Sequence, residues 1–261
     1  MFVDITGDGK PELLCMSGGF IGYAEADWSK PEEPWKFRAV SPKGAYQRFT
    51  HGIGYGDVNG DGRADILEAR GWWEQPAKWD GTTPWTFHEA QFGGGGAQMY
   101  AYDVNGDGKA DIITSLAAHQ YGLAWFEQTN EGGWTRHLIT GTPGPEGRPP
   151  VSGETGIIFS QPHAIDLADM NGDGLKDVIT GKRCWAHGPA GDPEPNAPFV
   201  VYWFELKREG TAGNFQAKFI AHIIDDNSGV GTQVMAVDVN GDGKPDVVVG
   251  NKKGVFVHTR K

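Results

Sequence analysis

Cysteine is nearly missing: Cys15 and Cys184 are the only two in 261 residues. They lie far apart and form no C-x-x-C pair, which excludes a disulfide framework and a thiolate zinc site; both read as small buried side chains. Long apolar runs are missing too. No stretch approaches the ~18 residues that a membrane-spanning helix needs, and the opening MFVDITGDGK has neither the charged nor the apolar region of a signal peptide. A soluble chain with no membrane span is therefore expected. Runs of Ala, Leu, Glu and Lys are absent, so almost no helix is expected. Positive charge is scarce, with 23 Lys and Arg against 34 Asp and Glu for a net −11, which argues against nucleic acid as a partner.

What is present is turn chemistry and repetition. Forty glycines, sixteen prolines and ten tryptophans predict many short strands joined by tight turns. One nine-residue pattern recurs five times, as DITGDGKPE from Asp4, DVNGDGRAD from Asp57, DVNGDGKAD from Asp103, DMNGDGLKD from Asp169 and DVNGDGKPD from Asp238. The starts are 53, 46, 66 and 69 residues apart, so the unit is 46 to 53 residues long and two units carry insertions.

The pattern D-x-N-G-D-G-x-x-D suits a hard cation that takes six to eight oxygens. Positions 1, 3, 5 and 9 offer side-chain oxygens, position 7 offers a carbonyl, and the glycines let the backbone curl. Five structural calcium ions are expected. Their predicted ligands are Asp4, Thr6, Asp8, Lys10 and Glu12; Asp57, Asn59, Asp61, Arg63 and Asp65; and Asp103, Asn105, Asp107, Lys109 and Asp111. The fourth and fifth sets are Asp169, Asn171, Asp173, Leu175 and Asp177, and Asp238, Asn240, Asp242, Lys244 and Asp246. These loops hold fifteen of the 34 acidic residues, so the acidity is local to them and points to metal rather than to a basic ligand.

Each unit repeats a four-part order: a strand before the loop, a strand after it, an aromatic strand such as GLAWFEQ, and an outer strand such as WTRHLIT. Four antiparallel strands per repeat, radially arranged, describe a β-propeller. The predicted fold is thus all-β, one propeller domain over residues 1–261 with repeats starting at 4, 57, 103, 169 and 238. A closed five-bladed ring is the first expectation and an incomplete part of a seven-bladed propeller the alternative. With these loops the chain resembles the FG-GAP and VCBS repeat family, whose calcium-loop blades also build the propeller of integrin α subunits.

The face opposite the loops is where chemistry is expected. Six residues before a loop, at about 3.3 Å each, lie about 20 Å from it. His51 and His163 share that position, Gln98 and Gln233 fall one place later in two other units, and Arg70, Lys182 and Asn251 follow on returning strands. His119, Tyr121, Trp72, Trp185 and His187 complete a polar, aromatic set at the mouth. His88, His137 and His222 fall on outer strands and are expected to be structural. The insertions 140–156 and 185–198 are expected beside the pocket as loops that cover it.

The phrases HGIGYGDVNGDGR…GWWEQP, AAHQYGLAWFEQ, PHAIDLADMNGDGLKD…GKRCWAHGPAGDP and GTQVMAVDVNGDGKPD make the chain similar to the propeller of the aldos-2-ulose dehydratase family. That resemblance implies a lyase that carries out β-elimination on a keto-sugar or keto-glycoside, with a divalent Zn, Mn or Mg ion held by histidines. It implies His51, His119 and His163 as metal ligands or base, with Lys182 and Arg70 steadying oxyanion or hydroxyls and Tyr121 moving protons. Gln98, Gln233, Trp72, Trp185, His187 and Asn251 are the expected substrate contacts. Two other readings stand beside it, a non-catalytic propeller that binds glycan or protein and a polysaccharide lyase. Weakly tuned calcium loops suit the periplasm or the cell exterior, which is the expected location.

Overall fold

The fold was taken from a computed structural model, which describes residues 1–47, 49–146, 148–211 and 214–260. Nineteen strands and no helix are found among the described residues. Within each repeat a tight acidic loop joins the first two strands, and turns or longer loops join the rest. The first sheet is β1 (Phe2–Val3), β2 (Glu12–Ser17), β3 (Phe20–Glu25) and β4 (Lys36–Ala39). The second is β5 (Ile53–Gly56), β6 (Asp65–Glu68), β7 (Gly71–Glu74) and β8 (Thr86–Glu89). The third is β9 (Gln98–Tyr102), β10 (Asp111–Ser115), β11 (Leu123–Gln128) and β12 (Trp134–Thr140). The fourth is β13 (Pro162–Ala168), β14 (Asp177–Lys182), β15 (Val201–Thr211) and β16 (Asn214–Asp225). The fifth has three strands, β17 (Val234–Val237), β18 (Asp246–Asn251) and β19 (Gly254–His258).

Strand order follows chain order within every repeat and neighbours are antiparallel, as expected of propeller blades. The second and third sheets also touch through a parallel pairing of their inner strands, β5 with β9. Gly54 allows that approach, since a Cβ there would lie 1.9 Å from the Met99 carbonyl oxygen.

Four hydrophobic cores sit between successive sheets. Leu14, Ile21 and Tyr23 pack on Ile66 and Trp73; Leu67 and Trp72 on Ile112 and Phe126; Ile113 and Trp125 on Ile165 and Phe204; Ile179 and Val201 on Val234 and Val249. No core joins the fifth sheet to the first among the described residues. The expected closure of a five-membered ring therefore has no packing counterpart among them, and Met235, Val255 and Val257 are more than half exposed.

Outer strands are locked by a recurring stack. His88, His137 and His222 lie flat on Trp72, Trp125 and Trp203 at 4.1 to 4.3 Å, and each bonds a glutamate, Glu74, Glu127 or Glu205, at 2.7 to 2.8 Å. These three histidines are structural, as the sequence predicts. Trp72 is a correction: its ring is covered by His88 and the core between the second and third sheets, and it is not a substrate contact. Cys15 is half-buried and Cys184 buried, both free.

Candidate active site

The three histidines expected at the mouth come together. His51 precedes β5, His119 sits in the turn between β10 and β11, and His163 is on β13, so three successive sheets each contribute one. His51 Nε2 is 3.1 Å from His163 Nε2 and 3.2 Å from His119 Nε2. One nitrogen from each lies within 4.8 Å of the others, the spacing of ligands around one metal ion. Burial holds all three imidazoles neutral: the pKa of His51 is lowered, that of His119 falls to about 4 and that of His163 to about 3, with the charge of Arg183 adding to the effect. Neutral imidazoles keep the lone pair that a metal needs. Nδ1 of His119 and Nδ1 of His163 are buried with no hydrogen-bond partner, and the buried Gln161 amide faces the Asp192 carboxylate. Gln161 carries φ of 61°, a left-handed backbone held by Gln120 and by the His163 and Arg183 amides.

The insertion 185–198 reaches this cluster, as the sequence predicts. It places the His187 ring 4.6 Å from that of His119 and binds His187 Nδ1 to Asp192 at 3.0 Å. The Asp192 side chain is fully buried. Burial alone would raise its pKa, but hydrogen bonds from the His187 amide and ring outweigh that and hold the carboxyl below its usual range. His119, His187 and Asp192 form a second group with metal-ligand spacing. The insertion 140–156 does otherwise: its Glu154 and Thr155 amides bond Leu138 and Ile139 along β12, so it covers the edge of the third sheet.

A cavity of about 730 Å³ opens beside His51 and His119, walled by Tyr46, Glu68, Arg70 and the glycines 93–95. Arg70 reaches Tyr46 Oη at 3.1 Å and Glu68 at 3.5 Å, forming one polar wall.

Other predicted residues lie elsewhere. Lys182 is 1 % exposed; its ammonium is turned to Ser160 Oγ and to the Pro193 carbonyl at 3.1 Å, and burial lowers its pKa. It anchors the insertion and cannot steady an oxyanion at the histidines. The next residue, Arg183, carries the charge that they feel, because successive strand residues face opposite ways. Gln98 donates to Gln233 at 2.7 Å and accepts from the Ile165 amide at 2.9 Å, so both glutamines stitch sheets rather than await substrate. Asn251 is likewise committed, donating to the Ser228 and Gly229 carbonyls. The pKa of Tyr121 is pushed up to about 12 by burial and by Glu194, which favours its protonated form.

The five acidic loops share one turn. The first aspartate of each accepts the amides of positions 4 and 6, as Asp57 does from Gly60 at 2.7 Å and Gly62 at 2.8 Å, and those glycines all have φ between 75° and 88°. Asp8, Asp61, Asp107, Asp173 and Asp242 each accept the amide two residues on. The ninth-position acid is buried and accepts an amide at the start of its loop, as Asp65 does from Val58 and Asp111 from Val104. Burial, with the neighbouring aspartates, raises Asp65, Asp111 and Asp177 to about 6. An oxygen-rich turn that strains to keep its charge fits a hard cation. In the first loop Asp4, Asp8 and Glu12 bring oxygens within 4.8 Å of one another; the other loops do not gather three carboxylates so closely among the described residues.

Fold and repeats together define an all-β protein of propeller-blade architecture. The FG-GAP repeat pattern matches residues 230–256, which take in β17, β18 and the first part of β19. No curated protein matches the chain.

Proposed function

We propose that this protein is a carbohydrate-active lyase that carries out β-elimination on a keto-sugar or keto-glycoside at the three-histidine cluster. The observation that carries this reading is the convergence of three neutral imidazoles from three sheets beside a cavity large enough for a sugar. His51, His119 and His163 are the residues that would hold a divalent ion there. Such an ion, when bound, supplies Lewis-acid polarisation of a carbonyl oxygen.

Elimination beside a ketone removes a proton from the α carbon and expels the group on the β carbon. His187, whose Nδ1 is held by Asp192, presents Nε2 as the acceptor for that proton. Arg70 and Tyr46 offer donors to sugar hydroxyls along the cavity wall. The glycine segment 93–95 lines the cavity with backbone, and a Cβ at Gly93 or Gly95 would meet the Leu116 or His51 carbonyl oxygen at 2.7 or 2.9 Å. The reaction class is the one that the resemblance of the sequence phrases to the aldos-2-ulose dehydratase family implies. Calcium in the five acidic loops would hold the strands that carry these histidines, and loops of that kind suit a location outside the cytoplasm.

The test is incubation of calcium-loaded protein with a 3-keto-glycoside or 1,5-anhydrofructose while following enone absorbance. Turnover that is lost in His163→Ala supports the lyase. No turnover, with sugar binding unchanged in His51→Ala and His163→Ala, identifies a non-catalytic glycan binder instead.

A further inference from the structure

We propose that a small cationic cavity between the fourth and fifth sheets is a subsite for an oxyanion substituent, a carboxylate or a sulfate ester, on the bound sugar. This rests on the reading that the ligand is a carbohydrate. The cavity measures about 150 Å³, and its walls include Arg183, Trp185, Thr232, Asn251 and Lys252. It has room for a substituent and part of one ring, not for a chain.

Arg183 is half-buried, and among the described residues its guanidinium has no hydrogen bond or ion pair. A desolvated guanidinium left open is costly unless an anion meets it, and its planar fork matches a carboxylate or sulfate edge. Asp192, the acid whose charge it feels, is already engaged by His187. Lys252 is exposed across the cavity, spending one ammonium hydrogen on the Ala186 carbonyl at 3.3 Å. Two open cations in one concavity run against the net −11 of the chain.

The remaining walls are fixed. Asn251 is pinned by the Ser228 and Gly229 carbonyls at 2.7 and 3.0 Å. Trp185 has φ of 50°, with its indole nitrogen tied to the Pro195 carbonyl at 3.0 Å, a strained backbone that sets the ring at the cavity. The link to the histidines runs through the backbone. The His163 and Arg183 amides both donate to the Gln161 carbonyl, at 2.8 and 3.0 Å. Arg183 is thus tied to the turn that precedes His163, and its charge acts on all three imidazoles.

Isothermal titration at low salt of wild type, Arg183→Gln and Lys252→Gln with glucuronate, its methyl ester, glucose 6-sulfate and glucose tests this. At least one acidic sugar is expected to bind tenfold or more tightly than glucose and the ester, and the glucuronate and sulfate arms show which anion is preferred. That preference should disappear in Arg183→Gln, weaken in Lys252→Gln and fall with added salt. Equal binding of acidic and neutral sugars by wild type overturns the subsite alone, as does a preference that survives both substitutions. Failure of all four to bind overturns the carbohydrate reading with it. Because binding is read without turnover, loss of elimination in His163→Ala leaves this test unaffected. Should Arg183→Gln prove unstable on melting, the exposed Lys252→Gln decides.

Discussion

Replacing Asp111 by asparagine separates the two jobs assigned to a ninth-position acid, stapling the loop and binding calcium. Asp111 is fully buried, and its two oxygens accept the Val104 and Gln128 amides at 2.9 Å each. Burial lifts its pKa from 3.8 to about 6, so holding it ionised at pH 7 without a cation costs about 3 kcal/mol, two units at about 1.4 each. Asparagine removes that cost but accepts only one of the two amides; its NH2 faces the other donor, for a loss of about 1–3 kcal/mol. In EDTA the two changes nearly cancel, and the variant should melt close to wild type. In calcium they do not cancel. A calcium concentration 100 times the dissociation constant stabilises wild type by about 2.7 kcal/mol per loop, and the variant forfeits most of that at one loop. Thermal unfolding of both proteins, with saturating calcium and with EDTA, measures the gap. Equal destabilisation in the two conditions, or a wild-type melting temperature that calcium leaves unchanged, would refute calcium binding by this loop.

Two further outcomes follow from the same structure. In EDTA, the contribution of Asp65, Asp111 and Asp177 is complete below the unfolded value of 3.8 and is lost as pH rises through about 6, because their folded pKa values are raised. Wild type should therefore gain melting temperature between pH 7 and pH 5 in EDTA and lose that gain in calcium; a steady fall in EDTA contradicts the burial account. Lys182→Met keeps the buried stem but loses the bonds to Ser160 and Pro193, and about 1–3 kcal/mol with them. Divalent-metal binding at the histidines should persist in that variant, whereas its loss on a folded protein would return Lys182 to the site.

Much of this was legible because a turn motif is a local object. D-x-N-G-D-G-x-x-D states its own glycine conformations and carboxylate caps, and five copies define the repeat and hence the sheets. His51 and His163 were legible by their shared offset from a loop, which fixes position along a strand. Facing is harder, since one residue reverses it: Lys182 and Arg183 are adjacent, yet Lys182 is buried against Ser160 and Arg183 is the charge the histidines feel. Gln98 and Gln233 sat at the right height but found each other across the interior. Asp192 and Gln161 carried no periodic signal; a proline-rich insertion and a left-handed turn place them. The proline after Gln161 marks a restricted backbone but not its direction.

Three imidazoles from three sheets are proposed to hold the divalent ion of a lyase site. Elemental analysis of protein stripped with chelator, reloaded with calcium and zinc and freed of excess ion measures that ion itself. One zinc per chain is expected beyond the calcium, retained in Lys182→Met and lost in His119→Ala. Calcium alone in the wild type, or zinc that stays bound in the His119→Ala protein, would contradict it.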